Sequence, residues 1–322
     1  MYKISDIRVN ITSYNRDKYI IPAVNSLLRQ SVGEFEINVF DNFSTDNTLK
    51  KLIKLDNRRI KLYRSTFNIG GHNNFKRVVN QSNKKFTIIF HDDDLIHHNY
   101  LEYILMALNE NPKASLVCSG MLRANNPQEQ LFKNYNFSYK KFKDKSNFIS
   151  LVYLGFPMCF PSCLYKTENM KKVIKIKAGK FGKICDRPVV YSAVKEGEEI
   201  ILFPGQYIHY RLHSGQDSNS KANGPFPNQI FELQKLYYNE LYLNSNFKSK
   251  LIFLTSFYYY MSLDFKNFKS EYNSRKTFIL EFVEFVNGKI LFVYLSKFLY
   301  FLKIRNLYKV YRVIKRNIGQ YS

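Results

Sequence analysis

Five short apolar runs, spaced along the first 118 residues and separated by stretches of helical periodicity, constrain the fold of this chain more than any single residue. They are Ile7–Ile11, Glu36–Phe40, Ile60–Tyr63, Phe86–Phe90 and the run that begins at Leu116–Cys118. Each is too short for a helix, and most are rich in β-branched or aromatic residues, as suits a strand buried on both faces. Between them, Asp17–Gln30 carries Ile20, Ile21, Val24, Leu27 and Leu28 on one helical face, with Pro22 in its first turn. Ser44, Thr45 and Asp46 are N-cap candidates for a helix through Leu55, and Asn74–Gln81 and Asn99–Asn109 read as further helices. Such alternation predicts an α/β fold, a mostly parallel sheet with helices on both faces. Ligands of such sheets bind beyond the carboxyl ends of the strands.

Polar clusters follow three of these strands. Thr12-Ser13-Tyr14-Asn15-Arg16 follows the first, Asp41 to Thr48 the second, and His91-Asp92-Asp93-Asp94 the fourth. Three consecutive carboxylates repel one another unless positive charge lies among them. At the end of a buried strand they suit a hard divalent cation. A solvated acidic turn is the simpler reading of the triplet alone. Further along, Asp186 stands just before Pro188 at the start of a short helix, and Gln206–Arg211 reads as a strand leading into Leu212-His213-Ser214-Gly215-Gln216. His97 and His98 read as solvated helix-start residues, and Asn125–Asn147 as a long, lysine-rich loop.

Taken in this order, Ile11 to Arg16, Asp41-Asn42-x-Ser44-Thr45-Asp46-Asn47-Thr48, Asn68-x-Gly70 with Asn74, and His91 to Asp94 resemble glycosyltransferase family 2, the inverting sugar transferases of GT-A (Rossmann-like) fold. The resemblance runs from Ile7 to about Ser218. It implies a nucleotide-diphosphate sugar donor and a saccharide acceptor. It also implies an Mn²⁺ or Mg²⁺ ion that neutralises charge on the departing diphosphate. By this resemblance Thr12, Tyr14 and Asp41 line the nucleotide pocket with Asn15, Arg16 and Ser44 beside them, and Asn68, Gly70 and Asn74 shape its wall. The family places an Asp where His91 stands, which leaves the register open: Asp93 or Asp94 holds the metal, with Asp92 facing the ribose and Asp93 also near the donor. Asp186 occupies the place of the general base, although Cys185 replaces a second acid common there; a helix cap is its other reading. His213 completes the metal shell or touches the diphosphate, and Arg211 pairs with phosphate oxygens.

The formal net charge of +23 implies an anionic partner. The region from 221 to 322 is aromatic, basic and helical in pattern, distinct from a catalytic domain over 1–220. In its last part Arg305, Lys309, Arg312 and Arg316 share one helical face and Ile304, Leu307, Tyr311 and Ile314 occupy much of the other, as in an interfacial helix. The expectation is a cytoplasmic protein, without signal peptide or spanning helix, peripheral at the inner face of the membrane, where family members often act on lipid-linked saccharides. A sugar-phosphate nucleotidyltransferase would carry a Gly- and Lys/Arg-rich loop after the first strand, which this chain lacks. A nucleic-acid-binding protein would spread its basic residues over one groove, whereas here they are densest near the end of the chain and the sheet edge is acidic; no nucleic acid is expected. The four cysteines show no C-x-x-C spacing and read as reduced, partly buried thiols.

Overall fold

The computed structural model describes residues 1–128, 132–153, 158–173, 181, 186–216, 232–233 and 236–237. The expected basic amphipathic helix and the domain boundary near residue 220 lie outside the described residues. One compact unit takes in Met1–Lys145, Pro157–Ala178 and Cys185–Asn223, and a second takes in Ser146–Phe156, Gly179–Ile184 and Gly224–Ser322. Of the second, only α5 (Lys145–Tyr153, its first residue belonging to the first unit) is a described element of any length.

The first unit is built on a nine-stranded sheet. Its parallel half is β1 (Ile7–Ser13), β2 (Ile37–Asp41), β3 (Ile60–Arg64) and β4 (Phe86–His91), in the order β3-β2-β1-β4. The register pairs Ser13 with Asp41, Thr12 with His91 and Asp41 with Arg64, so these strands end level with one another. The apolar runs bury as their composition demands: Val9, Ile11, Ile37, Val39, Ile88 and Phe90 are fully buried. Two asparagines sit inside this half, each with a partner: Asn10 Nδ2 donates to Ile88 O at 3.2 Å and Asn38 Nδ2 to Val9 O at 3.1 Å.

Beyond β4 the sheet becomes mixed. Strand β8 (Leu164–Lys166) pairs antiparallel with both β4 and β6 (Ala114–Ala124), and β6 runs parallel to β9 (Glu199–Arg211). The two-residue β5 (Leu95–Ile96) pairs antiparallel with Ile208 and His209 of β9, which carries the end of β9 to the acidic loop. The lysine-rich stretch expected as a loop is in part a strand, β7 (Lys140–Phe142), paired antiparallel with Leu202–Ile200 of β9.

Helices α1 (Ile20–Leu28), α2 (Thr48–Lys54), α3 (Gly71–Gln81) and α4 (Tyr100–Glu110) follow the first four long strands of the chain, and α6 (Thr167–Val173) and α7 (Asp186–Glu196) complete the described set in this unit. Helix α1 presents fully buried Ile20, Val24 and Leu27 to the core, as its periodicity predicts, with Ile21 and Leu28 partly buried beside them and Ala23 fully buried as well. Cys118, Cys159 and Cys163 are free and buried, and Cys185 lies outside the described residues.

A 3-10 turn at Phe160–Ser162 packs on β4 and β6. Ser119 N donates to Ser162 Oγ at 3.1 Å, and that hydroxyl donates to Cys159 O at 2.7 Å. Ser162→Ala therefore strands a buried N–H. The expected cost is about 1–3 kcal/mol, read as a lower denaturant midpoint with an unchanged slope.

Candidate active site

The site assembles where β1, β2 and β4 end. The loop after β1 and the loop after β2 are laced together by side-chain bonds to backbone. Asn15 N donates to Ser44 Oγ at 2.9 Å, Arg16 N to Thr48 Oγ1 at 2.8 Å, and Thr45 N to Asn15 Oδ1 at 2.9 Å. Ser44 thus serves a cross-loop contact, while Asp46 takes the capping role by accepting Thr48 N at 2.9 Å. Asn15 has φ 52°, a left-handed conformation that Asn tolerates better than most residues.

Asp41 is completely buried at the end of β2. Its carboxylate accepts Ser44 N at 3.1 Å, and Arg64 Nε lies 3.5 Å away. The Arg64 guanidinium also covers the Phe43 ring at 5.0 Å. The residues expected to form a wall lie next to this pair. Asn42 Nδ2 donates to Asn68 Oδ1 at 2.8 Å, Ile69 N donates to Asn42 Oδ1 at 3.0 Å, and Asn74 Nδ2 reaches Phe40 O at 2.9 Å. Gly70, at φ 80°, makes the left-handed turn into α3, a conformation costly for a residue with a Cβ.

The acidic triplet divides into two groups. Asp92 turns toward the first loop, where its carboxylate accepts Tyr14 N at 3.3 Å and lies 3.4 Å from Arg16 Nε. Asp93 and Asp94 gather with His91, and one ligand atom from each of the three lies within 4.8 Å of the others. Asp94 is fully buried. Its Oδ1 accepts Arg211 N at 2.9 Å, and its Oδ2 has no hydrogen-bond partner while standing 3.3 Å from His91 Nδ1. A buried, unpartnered carboxylate oxygen facing an imidazole nitrogen and a second carboxylate fits a divalent cation of the Mg²⁺ to Mn²⁺ class.

The end of β9 closes the site from the other side. Arg211 Nε donates to Asp93 O at 2.7 Å, and its guanidinium covers the Tyr19 ring at 5.1 Å. His213 Nε2 stands 3.0 Å from Asp93 Oδ2, with the ring 4.4 Å from that of Tyr19. Gln216 holds the turn, donating to Arg211 O and accepting His213 N. Thr12, Tyr14, Asn15, Arg16, Asp92, Asp93, Asp94, Arg211 and His213 are thus brought to one sheet edge, with Asp41, Ser44, Asn68, Gly70 and Asn74 along its β2 side.

Asp186 is exposed as the first residue of α7, the helix start expected for it. Helix α7 packs on the Phe160–Ser162 turn, and the Phe160 ring stacks toward His91 at 6.1 Å. Sequence reasoning noted His91 only as a departure from the family pattern and gave no role to it, Tyr19 or Phe160. Only His91 carried a signal, its i, i+3 spacing from Asp94. His97, expected to be solvated, is instead buried among Phe132, Tyr135 and Tyr207, and burial with His98 nearby pushes its pKa down to about 4.

Burial and the neighbouring Asp93 push Asp92 up to about 7, against the pull of Arg16. Burial likewise raises Asp94. Burial opposes charge on His91, but Asp94 beside it prevails and lifts the imidazole to about 9. Raised folded values mean that the stabilisation is complete below the unfolded pKa and is lost as pH rises through the folded one. The metal-free protein should therefore melt several degrees lower at about pH 9 than at about pH 5, and saturating Mn²⁺ should flatten that slope. Thermal melts across pH, in chelator and in Mn²⁺, check this; parallel curves would refute it.

A family model for glycosyl transferase family 2 matches residues 9–173. Among curated relatives, the poly(ribitol-phosphate) beta-N-acetylglucosaminyltransferase TarS of Staphylococcus aureus is 25% identical over 212 residues, covering 60% of this chain and 36% of that protein. The chain thus spans about a third of the length of that relative. The UDP-Glc:alpha-D-GlcNAc-diphosphoundecaprenol beta-1,3-glucosyltransferase WfgD of Escherichia coli is 28% identical over 106 residues, 33% of this chain and 42% of that protein. Among solved structures, S. aureus TarS 1-349 in complex with UDP-GlcNAc superposes with a TM-score of 0.58 at 20% identity, over 83% of this chain and 74% of that one. That likeness establishes a GT-A fold.

Proposed function

The chain belongs to glycosyl transferase family 2, and on that premise we propose that it is a metal-dependent, inverting sugar transferase using a nucleotide-diphosphate sugar. The observation that carries this reading is the convergence of Asp41, Asp92, Asp93 and Asp94 with Arg16, Arg211 and His213 at level strand ends. Such an edge offers polar contacts for a nucleoside on the β2 side and a charge-matched cradle for a diphosphate on the β4 side. Asp41 and Ser44 contact the base or ribose, and Thr12, Tyr14 and Asn15 line the pocket with Asn68, Gly70 and Asn74 as its wall. Asp92 faces the ribose, and Arg16 and Arg211 bind diphosphate oxygens. A divalent cation held by Asp93 and Asp94, with a histidine nitrogen, would neutralise charge on the diphosphate as it leaves. Asp186 takes the proton of the acceptor hydroxyl as that hydroxyl attacks the sugar carbon from the face opposite the diphosphate.

The acceptor is a saccharide of a bacterial surface polysaccharide. The names of TarS and WfgD point to a polyol-phosphate polymer and a diphospholipid-linked sugar as their acceptors. A net charge of +23 supports an anionic acceptor or surface here as well. No helix among the described residues is long and apolar enough to cross a membrane. The basic aromatic segment toward residue 322 supports peripheral attachment at the inner face of an anionic membrane. A calorimetric and donor-hydrolysis screen of nucleotide sugars with Mn²⁺ tests the reading. At least one donor is expected to bind and to be hydrolysed slowly, and failure of every donor and every nucleoside diphosphate to bind would overturn it.

A further inference from the structure

The turn between β1 and α1 faces the site in two directions. Tyr19 N and Ile20 N both donate to Arg16 O at 2.9 Å, which folds residues 16–20 into one turn. On one side of it Arg16 Nε lies 3.4 Å from Asp92 Oδ1 and 3.9 Å from Asp93 Oδ2. On the other, the half-buried Tyr19 ring meets the end of β9. The Arg211 guanidinium covers that ring at 5.1 Å, and the His213 ring lies 4.4 Å from it, tilted by 35°. Both side chains also reach Asp93: Arg211 Nε donates to its backbone oxygen at 2.7 Å, and His213 Nε2 stands 3.0 Å from its Oδ2. The backbone of this arm has anchors of its own. Arg211 N donates to Asp94 Oδ1 at 2.9 Å, Leu212 N to Ala124 O at 2.8 Å, and His213 N to Gln216 Oε1 at 3.2 Å. Tyr19 therefore touches both side chains from an element that belongs neither to the arm nor to the acidic loop.

We propose that Tyr19 is a positioning residue: the face of its ring, not its hydroxyl, holds Arg211 and His213 in the orientation that a diphosphate and its cation meet. The proposal rests on the reading of this edge as a nucleotide-sugar site and adds a residue that acts through two others. An arginine side chain has several rotatable bonds, and their freedom is lost when it clamps a ligand. A ring that already holds the guanidinium removes that cost before the ligand arrives. The negative face of the aromatic ring attracts the cation. A guanidinium stacked by its own face keeps the N–H groups in its plane for phosphate oxygens. Phenylalanine offers the same face, whereas leucine fills a comparable space without one.

The test uses the full chain and two readouts. The first needs no ligand. An imidazole this close to an aromatic ring has its proton resonances displaced by the ring current. The chain has six histidines, so in protein carrying isotope-labelled histidine the His213 signal is identified by its absence from His213→Gln. Tyr19→Phe should leave that signal in place, and Tyr19→Leu should move it toward the position of an unstacked imidazole. The second readout is calorimetric titration with UDP, GDP and ADP in the presence of Mn²⁺. Tyr19→Phe is expected to bind the preferred nucleotide within about twofold of wild type and Tyr19→Leu about tenfold more weakly, as a desolvated cation–π contact allows. With Arg211→Gln and His213→Gln already in place, Tyr19→Leu should cost little more, because its effect runs through those two residues. Tyr19→Met serves in the same way if the leucine variant does not melt cooperatively. Undiminished binding by Tyr19→Leu, a phenylalanine variant as weak as the leucine one, losses that add in full, or an unmoved His213 signal would overturn the proposal. Nucleotide binding together with an unmoved signal would leave the transferase reading standing without Tyr19. If no nucleoside diphosphate binds wild type, the transferase reading falls, and the His213 signal alone decides whether Tyr19 is the platform.

Discussion

Asp94→Asn is expected to lower kcat/KM for sugar transfer about a thousandfold, roughly 4 kcal/mol of transition-state stabilisation, with the fold intact. Asn is nearly isosteric, and its carbonyl oxygen can keep the bond that Asp94 Oδ1 accepts from Arg211 N at 2.9 Å. What it removes is the second oxygen, which is buried and without a hydrogen-bond partner. That oxygen faces His91 Nδ1 at 3.3 Å, and on the reading proposed above it would also ligate the cation. Excess Mn²⁺ should recover part of the rate. Asp92→Asn should cost far less, about tenfold, because Asp92 is engaged with Tyr14 N and Arg16 rather than with His91. Steady-state kinetics across Mn²⁺ concentrations decide the matter. Asp94→Asn within tenfold of wild type, or Asp92→Asn the worse of the two, would mean that the cation sits elsewhere.

The contrast between Asp92 and Asp94 marks how far the sequence could be read. Strands β1, β2 and β4 were legible because each is an apolar run buried on both faces, and the clusters at their ends follow from chain direction alone. The side to which each of three adjacent carboxylates turns depends on the backbone after His91, and on β5 bringing the end of β9 to within 2.9 Å of Asp94. That pairing is a two-residue contact across more than a hundred positions, with no local pattern to announce it. Strand β7 was hidden for a related reason. Its Lys140-Lys141-Phe142 reads as loop, and its extended form comes from pairing with β9. His97 was misjudged as solvated because the rings that bury it, Phe132, Tyr135 and Tyr207, lie far along the chain. The Asp41 and Arg64 pair became visible only once register set the two residues side by side on β2 and β3.

Asp186→Asn separates the two readings of the acid at the start of α7, and is expected to lower kcat by about a hundredfold to ten-thousandfold with donor affinity unchanged. Asn keeps the size and the hydrogen-bonding oxygen that a helix start uses, so a residue that merely begins the helix would tolerate it. The lost charge takes away a dipole interaction of about 0.3–1 kcal/mol at an exposed site, too little to unfold the domain. What Asn cannot do is accept a proton. Asp186→Ala is the companion variant: it should match Asn in rate but melt lower, since it removes the oxygen as well. The exposure of Asp186 suits a group that must meet an acceptor arriving from outside. Its helix packs on the turn bearing Phe160, and Phe160 stacks toward His91, so α7 is tied through one ring to the acidic cluster. Donor hydrolysis offers the finer distinction. Water attacks without a positioned acceptor, so the slow hydrolysis rate should fall less than the transfer rate in Asp186→Asn, whereas Asp94→Asn should lower both alike. Equal transfer rates for wild type and Asp186→Asn would remove this residue from the chemistry and leave it a helix start.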